Sequence, residues 1–150
     1  MAASQSARLD MPGNFRFEFD SEHQILMARF FGMLTQELVE EFYRVGGSYW
    51  LESGARAGIM DGSAVTQITL SSAFIHFLAR QDPAPESADR PRVLVAPRSD
   101  AFGLARMFQL VGDPKRPNLF VVRTLPEAFA VLGVQSPSFE PMQTEDRRAS

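Results

Sequence analysis

The sequence predicts an α/β domain: a mainly parallel sheet of about five strands with an antiparallel N-terminal edge strand, and about four helices. Three observations lead there. Short apolar segments alternate with segments of helical period along most of the chain. The later apolar segments, RAGIMD, RVLVA and LFVVR, are nearly continuous, as strands covered on both faces are. The first segment instead alternates with period two and is joined to the second by a short polar turn, which makes that pair antiparallel.

Asn14 to Asp20 reads N-F-R-F-E-F-D, with Phe15, Phe17 and Phe19 alternating with Arg16, Glu18 and Asp20. That is the pattern of a half-buried strand. Ser21 to Gln24 is the turn, and Ile25 to Phe31 is the second strand, ended by Gly32. Thr35 then opens a helix with Leu38, Phe42 and Val45 on one face and Glu37, Glu40, Glu41 and Arg44 on the other. Gly46-Gly47 is expected to bend or end it, with Tyr49-Trp50-Leu51 packing back on the body. Arg56 to Asp61 is read as a short buried strand and Gly62 to Leu70 as a hydroxyl-rich loop. Ser71-Ser72 starts a helix to about Gln81, closed by the prolines of Asp82-Pro83-Ala84-Pro85-Glu86. The strand Arg92 to Ala96 leads into a helix from Ala101 to about Val111, with Ser99 as N-cap and Gly112-Asp113-Pro114 as its end. Asn118 to Arg123 is the last strand. Thr124 as N-cap, Pro126 in the first turn, Glu127 at the capping-box position and Gly133 as the stop frame the last helix. The folded body is therefore a single domain over 14–134. Residues 1–13 read as a flexible arm and 135–150, with two prolines and mixed charge, as a flexible tail.

Composition narrows the function classes. The chain has 150 residues and a net charge of −3, with 45% hydrophobic and 22% charged residues. A domain this long buries roughly 68–70% of its unfolded surface and needs no staple. Zero cysteines exclude a disulfide framework, a thiolate metal site and a cysteine nucleophile. The acidic balance argues against a nucleic-acid binder, and no apolar run is long enough to span a membrane. The opening MAASQSARLDMPG holds no apolar leader, so a cytoplasmic location is expected. Of the 15 basic residues only Lys115 is a lysine, a bias read as that of a GC-rich genome. No H-x-x-H, G-x-S-x-G, G-x-G-x-x-G or P-loop pattern occurs. His23 and His76 are far apart and read as surface or rim residues, and Glu40-Glu41 as a solvated helix face.

The hairpin, the run of strand–helix units and above all the stretch Arg92-Val-Leu-Val-Ala-Pro-Arg-Ser-Asp-Ala-Phe-Gly-Leu-Ala-Arg-Met-Phe-Gln109 resemble the SpoIIAA-like superfamily, in its STAS/SEC14-type branch of small bacterial proteins. The segment from Phe120 to Leu132 is similar to that family's closing strand and helix. The resemblance covers about 14–134 and implies a right-handed βα superhelix with a regulatory or scaffold role, since the superfamily includes anti-sigma-factor antagonists. One feature departs from it. Phosphorylated antagonists carry a D-S-S/T-G-type motif after the central strand, whereas Asp61-Gly62-Ser63 is followed here by Thr66, Thr69, Ser71 and Ser72. A kinase-switched role is therefore not carried over.

Asp61, Ser63, Thr66, Ser71 and Ser72 are the candidate ligand- or anion-binding residues. They follow the carboxyl end of a buried parallel strand, the edge on which open α/β sheets bind ligands, and they flank a helix N-terminus. The same residue types also cap helices and make turns, and that reading stands beside the first. On the helix from Ala101, an apolar stripe of Ala101, Leu104, Ala105, Phe108 and Val111 leaves Phe102, Arg106 and Met107 over as a candidate protein interface. A self-complementary version of that face implies a homodimer. The expected function is a non-enzymatic regulatory or protein-interaction module without cofactor or metal. The alternative is a small-molecule or lipid-binding domain whose apolar pocket is lined by Phe and by Met27, Met33 and Met60. An enzyme built on Asp61 needs a general base, and no histidine lies near it in sequence.

Overall fold

β1 (Asn14–Asp20) and β2 (Ile25–Leu34) form the hairpin that the alternating phenylalanines predict, with Phe17 opposite Ala28 and Phe19 opposite Leu26. The computed structural model describes residues 13–83, 89–113 and 115–142. The expected arm up to residue 12 and the end of the expected tail, 143–150, lie outside them. After the hairpin come α1 (Gln36–Ser53), β3 (Ala57–Ile68), α2 (Ser72–Arg80), β4 (Arg92–Val95), α3 (Ser99–Gly112), β5 (Leu119–Val122), α4 (Leu125–Leu132) and β6 (Glu140–Pro141).

The sheet is mixed and six-stranded, in the order β5-β4-β3-β2-β1-β6. β2, β3, β4 and β5 are parallel neighbours, and β1 runs against both of its neighbours. From β2 to β5 each crossover steps the same way. For steps in one direction, crossovers of one hand put every connecting helix on the same face. α1 covers β1 and β2 on that face, and the packed pair α2–α3 covers β4 and β5. After β5 the step reverses, and α4 lies on the opposite face against Ile59, Val93 and Val95.

Four expectations need correction. β1 is not the edge strand, because β6 pairs with it and the Met142 N–H donates to the Phe17 carbonyl at 2.8 Å. The ordered body therefore runs past residue 134, held by apolar contact: Phe139 stacks on Phe129, and Met142 packs on the core under α1. α1 does not stop at Gly46-Gly47 but continues to Gly54, whose left-handed backbone (φ 68°) ends it. Two interior glycines cost about 2 kcal/mol relative to alanine. Burial of Tyr49, stacked on Phe17 with ring centroids 4.1 Å apart, carries the helix across them. Finally, the stretch expected as a loop from Gly62 is strand as far as Ile68. There Val65 is buried between exposed Ala64 and Thr66, an alternation of β-forming residues that pairs with the lengthened β2 through two register shifts.

The caps follow the sequence more closely. Thr35, Ser71 and Thr124 accept hydrogen bonds from the backbone N–H groups of Leu38, Phe74 and Glu127. Ser99 is not the N-cap of α3. That position is Arg98, whose guanidinium instead bonds Asp100 and the Thr66 carbonyl.

Candidate functional site

Period two along the strands and the register between them sort the side chains onto two faces. On the face that carries α4, Arg16 lies opposite Arg29, and Arg29 opposite Asp61. Glu18 stands between the two arginines, 2.7 Å from Arg16 Nε and 2.9 Å from Arg29 Nε. The second contact is an ion pair whose alignment is too poor for a hydrogen bond. Arg29 Nη1 donates to Asp61 Oδ2 at 3.0 Å, and Asp61 Oδ1 accepts from the Ser63 N–H and hydroxyl at 3.0 and 2.6 Å. Glu18 and Asp61 are buried. At the turn, buried Asp20 accepts from His23 Nδ1 at 2.7 Å and from the Glu22 N–H at 3.2 Å. Thus His23 sits at the rim with a carboxylate partner.

The structure therefore joins exposed Ser63 to Asp61 and turns Asp61 inward to Arg29. Thr66 is exposed, and its carbonyl accepts from Arg98. Ser71 caps α2 and Ser72 begins it. These five residues do not converge on one ligand position. Nor do Phe102, Arg106 and Met107 make one face. Phe102 lies under the Arg123 guanidinium at 3.9 Å, Arg106 bonds Gln109, and Met107 packs into the cluster between α2 and α3. Gln109 in turn donates to the Leu119 carbonyl at 2.8 Å. The apolar side chains that are well exposed on α2 and α3 are Phe77 and Leu110.

On the opposite face the structure shows what the sequence reading missed. α1 and the pair α2–α3 stand apart over the sheet, and between them lies a groove of about 590 Å³. Its floor is Leu26, Ala28, Gly58 and Met60, and its walls include Trp50, Tyr43 and Gly46-Gly47 on one side and Leu78 and Phe108 on the other. Gly58 lets the Trp50 ring approach the floor closely. A Cβ there would stand 2.8 Å from the Trp50 ring. A second hollow of about 160 Å³, lined by Leu94, Leu104 and Ala105, shares the Tyr43, Met60 and Phe108 walls and so extends the groove toward the start of α3.

Two arginines enter the first part. Arg116 is buried, donates to the carbonyls of Ala79 and Gln81 at 2.8 and 3.0 Å, and lies on the Phe108 ring at 4.8 Å. It closes the C-terminus of α2. Arg92 faces Gly58 across β3 and β4, and its Nε and Nη2 are shielded from water with no hydrogen-bond partner. Burial lowers the Arg92 pKa, Tyr43 opposes that shift, and the like charge of Arg116 adds to it. Tyr43 is half-exposed because the groove admits water. Its hydroxyl is nonetheless pushed above the ordinary phenol value by burial, an effect that Arg116 and Arg92 offset in part. The signals were present in the sequence. Arg92 shares a strand face with Leu94, so it was a charge on an apolar face. Gly58 interrupts an apolar strand, which marks a close approach.

Among the described residues no group of three or more His, Asp or Glu is placed to hold a metal ion, and no helix is long and apolar enough to cross a membrane. The chain matches no family model and no curated protein sequence.

Proposed function

We propose that this protein is a non-enzymatic regulatory module that binds a small, largely apolar molecule in the groove between α1 and α2–α3. The observation that carries the reading is the groove itself. It has the size of a small-molecule site, apolar walls and a few polar groups at one end. Arginine keeps its proton and offers only donors, so Arg92 and Arg116 suit binding rather than proton transfer. The regulatory class rests on the resemblance to SpoIIAA-like, STAS-type domains. Three helices on one side of strands that step one way support that resemblance and its right-handed superhelix.

Gly47 supplies the test. A Cβ at Gly47 meets nothing within 4 Å, and the residue lines the groove. Gly47→Leu is therefore expected to fill the groove while improving helix propensity. The uncharged fluorophore N-phenyl-1-naphthylamine should bind the wild type saturably and the variant several-fold more weakly, with no loss of thermal stability. Equal binding by both proteins, or none by the wild type, refutes the reading.

A further inference from the structure

The groove has a charged end and an apolar end, and this polarity narrows the class of molecule it takes. At the charged end, Arg92 Nε and Nη2 are buried without a partner. A buried cation without a counter-charge is costly, and an unpaired donor adds to that cost. Among the described residues no carboxylate is placed against it. Arg116 carries the same sign and uses its donors on the carbonyls of α2. The Tyr43 hydroxyl, a neutral phenol in the groove lining, is a further donor. Beyond Met60 the groove continues between Leu94 and Leu104 without a charged group in its lining. From Arg92 to Ala96 this floor is about 13 Å long at about 3.3 Å per strand residue.

We propose that the ligand is a singly charged amphiphile, a carboxylate on a medium-length acyl chain, with its head at Arg92 and its chain along Met60 and Leu94 toward the start of α3. The proposal rests on the groove being a binding site. Nε and Nη2 form one edge of the guanidinium, the fork that matches the two oxygens of a carboxylate. That edge is shielded from water in the ligand-free protein, so a carboxylate reaches it when the guanidinium turns toward the groove that Arg92 lines. The charge of the head follows from the mouth of the groove, where Glu40 and Asp82 stand in the lining and Asp82 is paired with Lys115 at 3.0 Å. Glu40 opposes a dianion such as a phosphate monoester more strongly than a monoanion, while Lys115 offsets Asp82.

The test titrates the full chain with dodecanoate, dodecanol and dodecyl phosphate below their aggregation limits. Binding is read from the emission of Trp50, the single tryptophan, and by calorimetry. Dodecanoate is expected to bind one per chain, at least about tenfold tighter than dodecanol. Arg92→Met should erase that difference while still binding the alcohol, and should melt no lower than the wild type because it removes a buried unpaired charge. Equal affinity for acid and alcohol overturns the head-group assignment but leaves the groove as a site. Tighter binding of dodecyl phosphate overturns the single charge. A large fall in the melting temperature of Arg92→Met shows Arg92 to be structural and also overturns the assignment. Binding of none of the three removes the groove reading and this one with it.

Discussion

The two faces of the sheet both bury charge, and they treat it differently. On the α4 face, Glu18, Arg29 and Asp61 come together because the β1–β2–β3 register places Arg29 opposite Asp61 and Glu18 beside it, and each buried charge has an opposite charge within about 3 Å. On the groove face, Arg92 has a glycine opposite it and a second arginine nearby. On the first face buried Glu18 and Asp61 are ion-paired within the sheet, and the pairing supports the strand register. On the second, Arg92 has no such partner among the described residues. The comparison shows that Asp61, a leading candidate in the sequence, is ion-paired within the sheet, whereas Arg92, which no motif marks, is the residue on which the proposed head-group assignment rests.

The largest expected effect tests the satisfied face. Arg29→Met removes the cation paired with buried Asp61 and one of the two paired with Glu18, and should destabilise the fold by about 3–5 kcal/mol, measured by chemical denaturation. Arg92→Met should not destabilise it at all, so equal losses from the two variants would erase the distinction between the faces. Next, Gly58→Ala forces the Trp50 ring to move and should cost about 1–3 kcal/mol as an overpacking substitution. A shift in tryptophan emission should accompany it, and an unchanged spectrum would mean that the groove floor yields elsewhere. Thr35→Ala removes the N-cap of α1, the wall of the groove, and should cost about 1 kcal/mol. The smallest effect concerns Asp100. Its hydrogen bond to Arg98 holds its carboxyl below the ordinary aspartate value. Any stability it contributes is present above its unfolded pKa and is lost as pH falls through its folded pKa. The pair is exposed, so the acid limb of unfolding should be almost superimposable for wild type and Asp100→Asn.

Much of the fold is legible residue by residue. The Phe15-Phe17-Phe19 alternation, the helix starts at Thr35 and Ser71-Ser72, the cap Thr124 and the stop at Gly133 all hold. Each reports on neighbours within about four positions, where local sterics and backbone hydrogen bonding decide the outcome. The misses have one cause. Gly46-Gly47 reads as a break, but a buried Tyr49 outweighs it. Gly62 to Ile68 reads as a loop, but a strand partner in β2 recruits it. The segment after Gly133 reads as a tail, but β1 receives it. In each case a contact far along the chain overrides a local preference.

The same division runs through the site. Residue order and chemical type are enough to set out, among the described residues, five of the six strands, the four helices and most of their starts, together with the acidic, cysteine-free character of the chain. They do not say that Arg92 meets Gly58, that Arg29 meets Asp61 across 32 positions, or that α1 and α2–α3 stand apart over the sheet. Those meetings depend on strand register and helix placement. A one-residue shift in register would send every side chain of a strand to the other face, so only the assembled sheet decides which charge is answered and which faces a ligand.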